Sequence, residues 1–203
     1  VEQKIESFRQ FIAYYPDEVG TMPYYDELGN IYLGALMFEE AVEYYELLYD
    51  RNRDNGHSYL GATTALQTAA WLRSGLGQYE NAARGYERYA NENPGETNSE
   101  AVYFSAGEQW EQVGTTEALS FYQRYIRSYP TENPDNVMAA RYRIIEITEE
   151  VVGDSTRRAD RLRVNRAWDD LDEQYRALGG AETFPQGSAG RDYIGQYALR
   201  GYL

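Results

Sequence analysis

Residues 24–48 read YYDELGNIYLGALMFEEAVEYYELL, and the order of apolar, small and acidic residues in that stretch decides the fold. Tyr25, Leu28, Gly29 and Tyr32 recur at three and four positions, the spacing that puts side chains on one face of a helix. Ala41, Tyr45 and Leu48 begin the pattern again after a short break, so two helices are predicted with a turn between them. Gly29 on the first helix leaves room for the second to come close. Ile5, Phe8, Phe11 and Ile12 show the same helical spacing upstream, and strand-type alternation is scarce throughout. The chain reads as all-α.

The same register returns along the chain. Ala82, Tyr86, Tyr89 and Pro94 are followed 36 residues later by Ala118, Tyr122, Tyr125 and Pro130. Ala41, Tyr45 and Leu48 form the earlier copy, with Arg53 in place of the proline. A large or small apolar residue followed by a small one precedes each copy: Leu28-Gly29, Ala69-Ala70 and Ala106-Gly107. Pro16, Pro94 and Pro130 each follow an aromatic or Ala-rich helix and read as helix stops. A fixed period with matched small residues is the signature of stacked helical hairpins rather than of an irregular bundle.

These features resemble the tetratricopeptide repeat (TPR), a helix–turn–helix unit of about 34 residues. Leu28, Gly29, Tyr32, Ala41 and Tyr45 occupy its signature positions, and residues 75–94, GLGQYENAARGYERYANENP, keep them in the second unit, where Arg73 replaces an expected aromatic. The third unit has one residue fewer in its turn, and the fourth carries bulky Ile145 where a small residue belongs. The resemblance implies a right-handed superhelix, an α-solenoid of about four helix pairs. Its divisions are a truncated repeat's second helix (1–16), TPR 1 (17–54), TPR 2 (55–95), TPR 3 (96–131), a degenerate pair (132–180), and a loop with the start of a further helix (181–203). The phrasing RYIRSYPTENPDNVMAARYRI is similar to bacterial envelope TPR proteins such as the lipoprotein of the outer-membrane β-barrel assembly machine. That implies a periplasmic or cell-envelope setting, with the cytoplasm as the alternative.

Composition removes much familiar chemistry. The chain has 203 residues, no Cys and a single His, so thiolate metal sites, disulfides, cysteine nucleophiles and two-histidine motifs are excluded. A net charge of −14, from 33 acids against 19 bases, repels phosphate backbones and disfavours nucleic acid. No stretch approaches the 18 or so apolar residues of a membrane span, and the first ten residues, VEQKIESFRQ, do not read as a signal peptide. His57 lies beside a turn without the company a general base needs. Asp50, Asn52, Asp54 and Gly56 imitate the start of a calcium loop, but the glycine comes one place late and Gly61 stands where a bidentate Glu belongs, so a plain turn is expected. Glu39, Glu40, Glu43 and Glu46 read as a solvated stripe on an outer face.

In TPR proteins the ligand-facing side chains come mainly from the first helix of each pair. Carried over by position, the resemblance assigns the concave face to Asp26 and Asn30, then Gln67 and Trp71, then Phe104, Glu108 and Gln112. That is an acidic, amide-rich groove with two aromatic platforms, suited to a protein or peptide with basic or aromatic anchors. Only Asn30 matches the carboxylate clamp known in the family. Trp71 and Phe104 packed between helices would be the structural alternative. A second candidate is the run Arg157, Arg158, Arg161, Arg163 and Arg166 on a helix opening near Ser155, ahead of Asp169, Asp170, Asp172 and Glu173. That order opposes the helix dipole, and it suits an acidic partner or a solvated surface paired with Glu149 and Glu150.

The expectation is a non-catalytic protein-interaction scaffold with no cofactor and no metal, within a larger envelope-associated assembly. The alternatives are a substrate-recruiting domain of a longer enzyme or a carboxylate-pair hydrolase on an α/α scaffold. The helix at 1–15 lacks a preceding partner, and the one beginning at 191–193 and running to Leu203 has nothing after it to pack on. Both suggest a piece of a longer protein or ends that dock on a partner.

Overall fold

A computed structural model describes residues 2–200, and side chains up to 199. Leu203, to which the last apolar helix was expected to run, lies outside the described residues. The described chain is helical with no strand. In order the helices are α1 (Glu2–Tyr14), α2 (Met22–Gly34), α3 (Phe38–Asp54), α4 (Gly61–Gly75), α5 (Tyr79–Glu92), α6 (Ser99–Val113), α7 (Thr115–Ser128), α8 (Pro134–Val152), α9 (Arg158–Ala177) and α10 (Ala189–Arg200). They fall into two compact units, the first ending at Gln109 and the second beginning at Trp110.

Within the first unit each helix packs on the next, α2 on α3, α3 on α4 and α4 on α5, with α1 against α2. This serial pairing is α-solenoid packing. Tyr25, Leu28, Tyr32, Ala41, Tyr45, Leu48, Ala69, Ala82, Tyr86 and Tyr89 are all buried, so most of the Tyr-rich repeat register is architecture. The small residue of the first hairpin is needed: a Cβ on Gly29 would lie 2.5 Å from Cε1 of Tyr45. Arg73, standing where an aromatic was expected, bridges back to α3 through two 2.7 Å bonds to the Glu46 carboxylate, and a third joins it to Gln78. Glu46 therefore leaves the solvated stripe assigned to it, because a partly buried guanidinium is within reach.

The prolines act as expected. α1, α5 and α7 end at Tyr14, Glu92 and Ser128, each two residues before Pro16, Pro94 or Pro130, since the residue ahead of a proline is driven out of the α region. Three residues connect α2 to α3 and α4 to α5, and each connection turns through a left-handed residue, Leu36 (φ 60°) and Gly77 (φ 73°). Between α6 and α7 only Gly114 remains, so the shorter turn of the third copy has become a single-residue connection.

In the second unit α7 packs on α8, α8 on α9, and α10 returns against both α8 and α9. Ile145 is fully buried in a core with Met138, Val164, Trp168, Leu171 and Phe184. The last helix finds its partners earlier in the chain. α10 starts at Ala189, Tyr193 stacks on Tyr142 with ring centres 4.5 Å apart, and Tyr197 stacks on Trp168 at 6.1 Å. Sequence spacing looked forward for a partner, whereas the loop after Ala177 turns the helix back.

Candidate functional site

Six of the seven expected groove residues belong to the first unit, and Gln112, exposed on the last part of α6, belongs to the second. α4 brings Gln67 and Trp71 one turn apart to the same cleft, about 260 Å³, whose wall also includes Thr68, Tyr86 and Ser105. Trp71 is 62% exposed, whereas Trp110 and Trp168 are 7% and 6% exposed. The packed alternative therefore fails for Trp71. Phe104 is half-buried and Glu108 exposed. Glu108 lies close enough to act on the cleft's phenol: burial chiefly, and then the Glu108 charge, push the Tyr86 pKa up and keep the hydroxyl protonated. Gln67 Oε1 accepts a long 3.4 Å bond from Asn98.

Asp26 and Asn30 are placed differently. Asn30 Nδ2 donates to Asp26 Oδ1 at 3.0 Å, Tyr45 OH donates to Asn30 Oδ1 at 3.0 Å, and Tyr59 OH donates to Asp26 Oδ2 at 2.7 Å. Burial and then the hydrogen bond to Asp26 push the Tyr59 phenol up to about 12. These two side chains tie α2 to α3 and to the segment before α4, and neither lines the Trp71 cleft. Thr68, Tyr86 and Ser105 were missed. Thr68 follows Gln67 directly and was readable from helix position. Tyr86 reads in the sequence only as a position of the repeat register, and its place on the cleft wall appears once α4 and α5 meet.

The Arg run is exposed at every one of its five members. α9 begins at Arg158, with Arg157 as an extended cap residue. The dipole meets a mixed arrangement: Arg157 caps the helix and Arg158 opens it, at the unfavourable end, while Asp160 in the first turn and Arg176 in the last are favourably placed. The dipole acts within those terminal turns, so Arg163 and Arg166 barely feel it. Among the described residues none of the five forms an ion pair, and Glu149 accepts from Trp168 Nε1 at 3.0 Å instead.

The remaining candidates have structural partners. His57 Nε2 lies 2.7 Å from the Asp17 carbonyl oxygen, tying two connections together. Asp50 and Asp54 belong to the last turns of α3 rather than to a loop, the turn proper begins at Asn55, and both carboxylates pair with arginines, Asp50 with Arg88 and Asp54 with Arg53. Among the described residues no group of three or more His, Cys, Asp or Glu could hold a metal, and no helix is long and apolar enough to cross a membrane.

No family model and no curated protein matches the chain. Among solved structures it is similar to a Podosopora anserina protein of kinesin-light-chain type built from nearly identical TPR-like repeats. That match has 16% identity and a TM-score of 0.49, covering 90% of this chain and 88% of that one. A single-substitution variant of the same protein is similar at 15% identity and TM-score 0.47, over 88% and 86%.

Proposed function

We propose that the chain is a non-catalytic protein-interaction scaffold that holds a partner segment against the α4 face of its first unit. The observation that carries this reading is Trp71, a large indole left mostly in water at a cleft edged by Gln67, Thr68, Tyr86 and Ser105. An exposed tryptophan beside hydrogen-bonding groups is the composition of a binding hot spot. With Glu108 nearby, the favoured anchor is an Arg or Lys side chain lying over the indole face, where cation–π attraction and charge complementarity act together. A place in a bacterial envelope assembly rests on the likeness of residues 124–144 to envelope TPR proteins alone, and cell fractionation tests it.

The test is affinity capture with the full chain. Trp71→Ala should leave the far-UV circular dichroism and melting temperature unchanged, because the side chain is exposed, and should weaken the main captured partner by about tenfold or more. Capture unaffected by Trp71→Ala would remove the α4 face from the reading.

A further inference from the structure

We propose that the outer face of α9 is a second docking surface, one that receives an acidic, amphipathic segment of a partner protein. Elsewhere most bases among the described residues pair with carboxylates, as in Lys4–Glu27, Arg51–Asp17, Arg73–Glu46 and Arg143–Glu111, while Arg9 and Arg191 bond tyrosine hydroxyls. Between Ser155 and Trp168 five arginines face a single acid, Asp160, whose carboxylate already accepts the Ser155 hydroxyl at 2.6 Å. A local surplus of positive charge thus stands unpaired in a chain whose net charge is −14.

The arrangement is specific. Arg158, Leu162 and Arg166 follow one another at four-residue intervals, about 6 Å per step along the helix, and Arg161 with Asn165 forms the neighbouring row. Leu162 is 55% exposed between its two arginines. Beside these rows a cleft of about 430 Å³ opens between the end of α8 and the start of α9, walled by Val152, Val164, Ser155, Arg161 and Asn165, with Glu149 also on its edge. The Glu149 carboxylate repels an incoming acid from the cleft and favours an apolar side chain there. Carboxylates then belong on the arginine row and an apolar residue between them, on Leu162 and into the cleft. Arg163 lies about 140° around the helix from Arg158 and about 60° from Arg166, on the flank away from Arg161 and Asn165, which wall the cleft.

A short peptide fits this surface better than a duplex or a membrane. The row is only about 12 Å long, and an extended polyanion would also meet the field of the acidic remainder.

The full chain is titrated with a fluorescein-labelled synthetic helix that carries Glu four residues either side of a central Leu. Binding should tighten as salt is lowered. The combined Arg158→Glu, Arg161→Glu and Arg166→Glu variant should weaken it by at least about tenfold, and replacing the peptide's Leu by Ser by about fivefold. Trp71→Ala should leave it within about twofold, which separates this surface from the α4 cleft, and Arg163→Glu, off the cleft side, should weaken it less than Arg161→Glu does. All substituted positions are exposed, and unchanged melting curves verify that each variant folds. Absence of binding at low salt, equal binding by the triple variant, or tighter binding of a DNA duplex or of phosphatidylserine vesicles than of the peptide would overturn the proposal.

Discussion

Leu36 adopts a left-handed backbone, φ 60°, at the place where Gly77 stands in the next connection, and it is the one non-glycine residue to do so among those described. Its side chain is 73% exposed, so little burial compensates the strain. A left-handed residue with a Cβ costs about 1–2 kcal/mol, of which glycine's extra unfolded-state freedom returns about half. Leu36→Gly should therefore raise the melting temperature by about 1–3 °C. Gly29 is the opposite case. The Tyr45 ring that its Cβ would meet is buried and fixed through its hydroxyl to Asn30. Gly29→Ala should destabilise by about 1–3 kcal/mol, seen as a lower urea midpoint. Both positions were legible as turn and small-residue positions, but the departure at Leu36 was not, because a leucine does not announce a positive φ.

Between elements, α3 and α5 are joined by a chain of charges. Arg53 Nη1 donates to Glu92 Oε2 at 2.7 Å, Arg88 Nε donates to Glu92 Oε1 at 3.2 Å, Arg88 also reaches Asp50, and Asn93 Nδ2 donates to Tyr49 OH at 2.9 Å. Burial pushes the Glu92 carboxyl up, but the hydrogen bonds from Arg53 and Arg88 outweigh it and hold it below its ordinary value. A carboxyl depressed in the folded state stabilises fully above the unfolded value of about 4.3 and loses that contribution as pH falls through the folded one. Glu92→Gln should accordingly lower the melting temperature by about 1–3 °C at neutral pH, with the gap closing in acid and narrowing in high salt. A gap that stayed constant with pH would mean that the charge plays no part. The network joins residues about forty positions apart and required the helices to be placed before it could be seen. The helices themselves followed from spacing and proline, as the ends of α1, α5 and α7 show.

Across the molecule, each unit has a core of its own. Phe184 is buried in that of the second, stacked on Tyr175 with ring centres 5.3 Å apart and pressed by Gly190 of α10. Stability in stacked repeats is close to a sum of local terms and neighbour contacts. Phe184→Ala, costing about 3–5 kcal/mol, should therefore speed amide exchange across 134–200 well before it does so in α2 to α5. Equal acceleration everywhere would show that the chain opens as one. The sequence alone determined the all-helical character, the hairpin register and the burial of its tyrosines, because a three-and-four periodicity with small residues at fixed places admits one way of packing neighbours. It also determined what chemistry is missing, since that follows from residue types. Tertiary structure decided the exposure and the partners of those residues: Trp71 stands exposed, Asp26 and Asn30 hydrogen-bond Tyr59 and Tyr45, Glu46 leaves its stripe for Arg73, and α10 folds back onto α8 and α9. Side-chain exposure and partnership depend on neighbours distant in the chain, and helical spacing carries no information about which distant neighbour arrives.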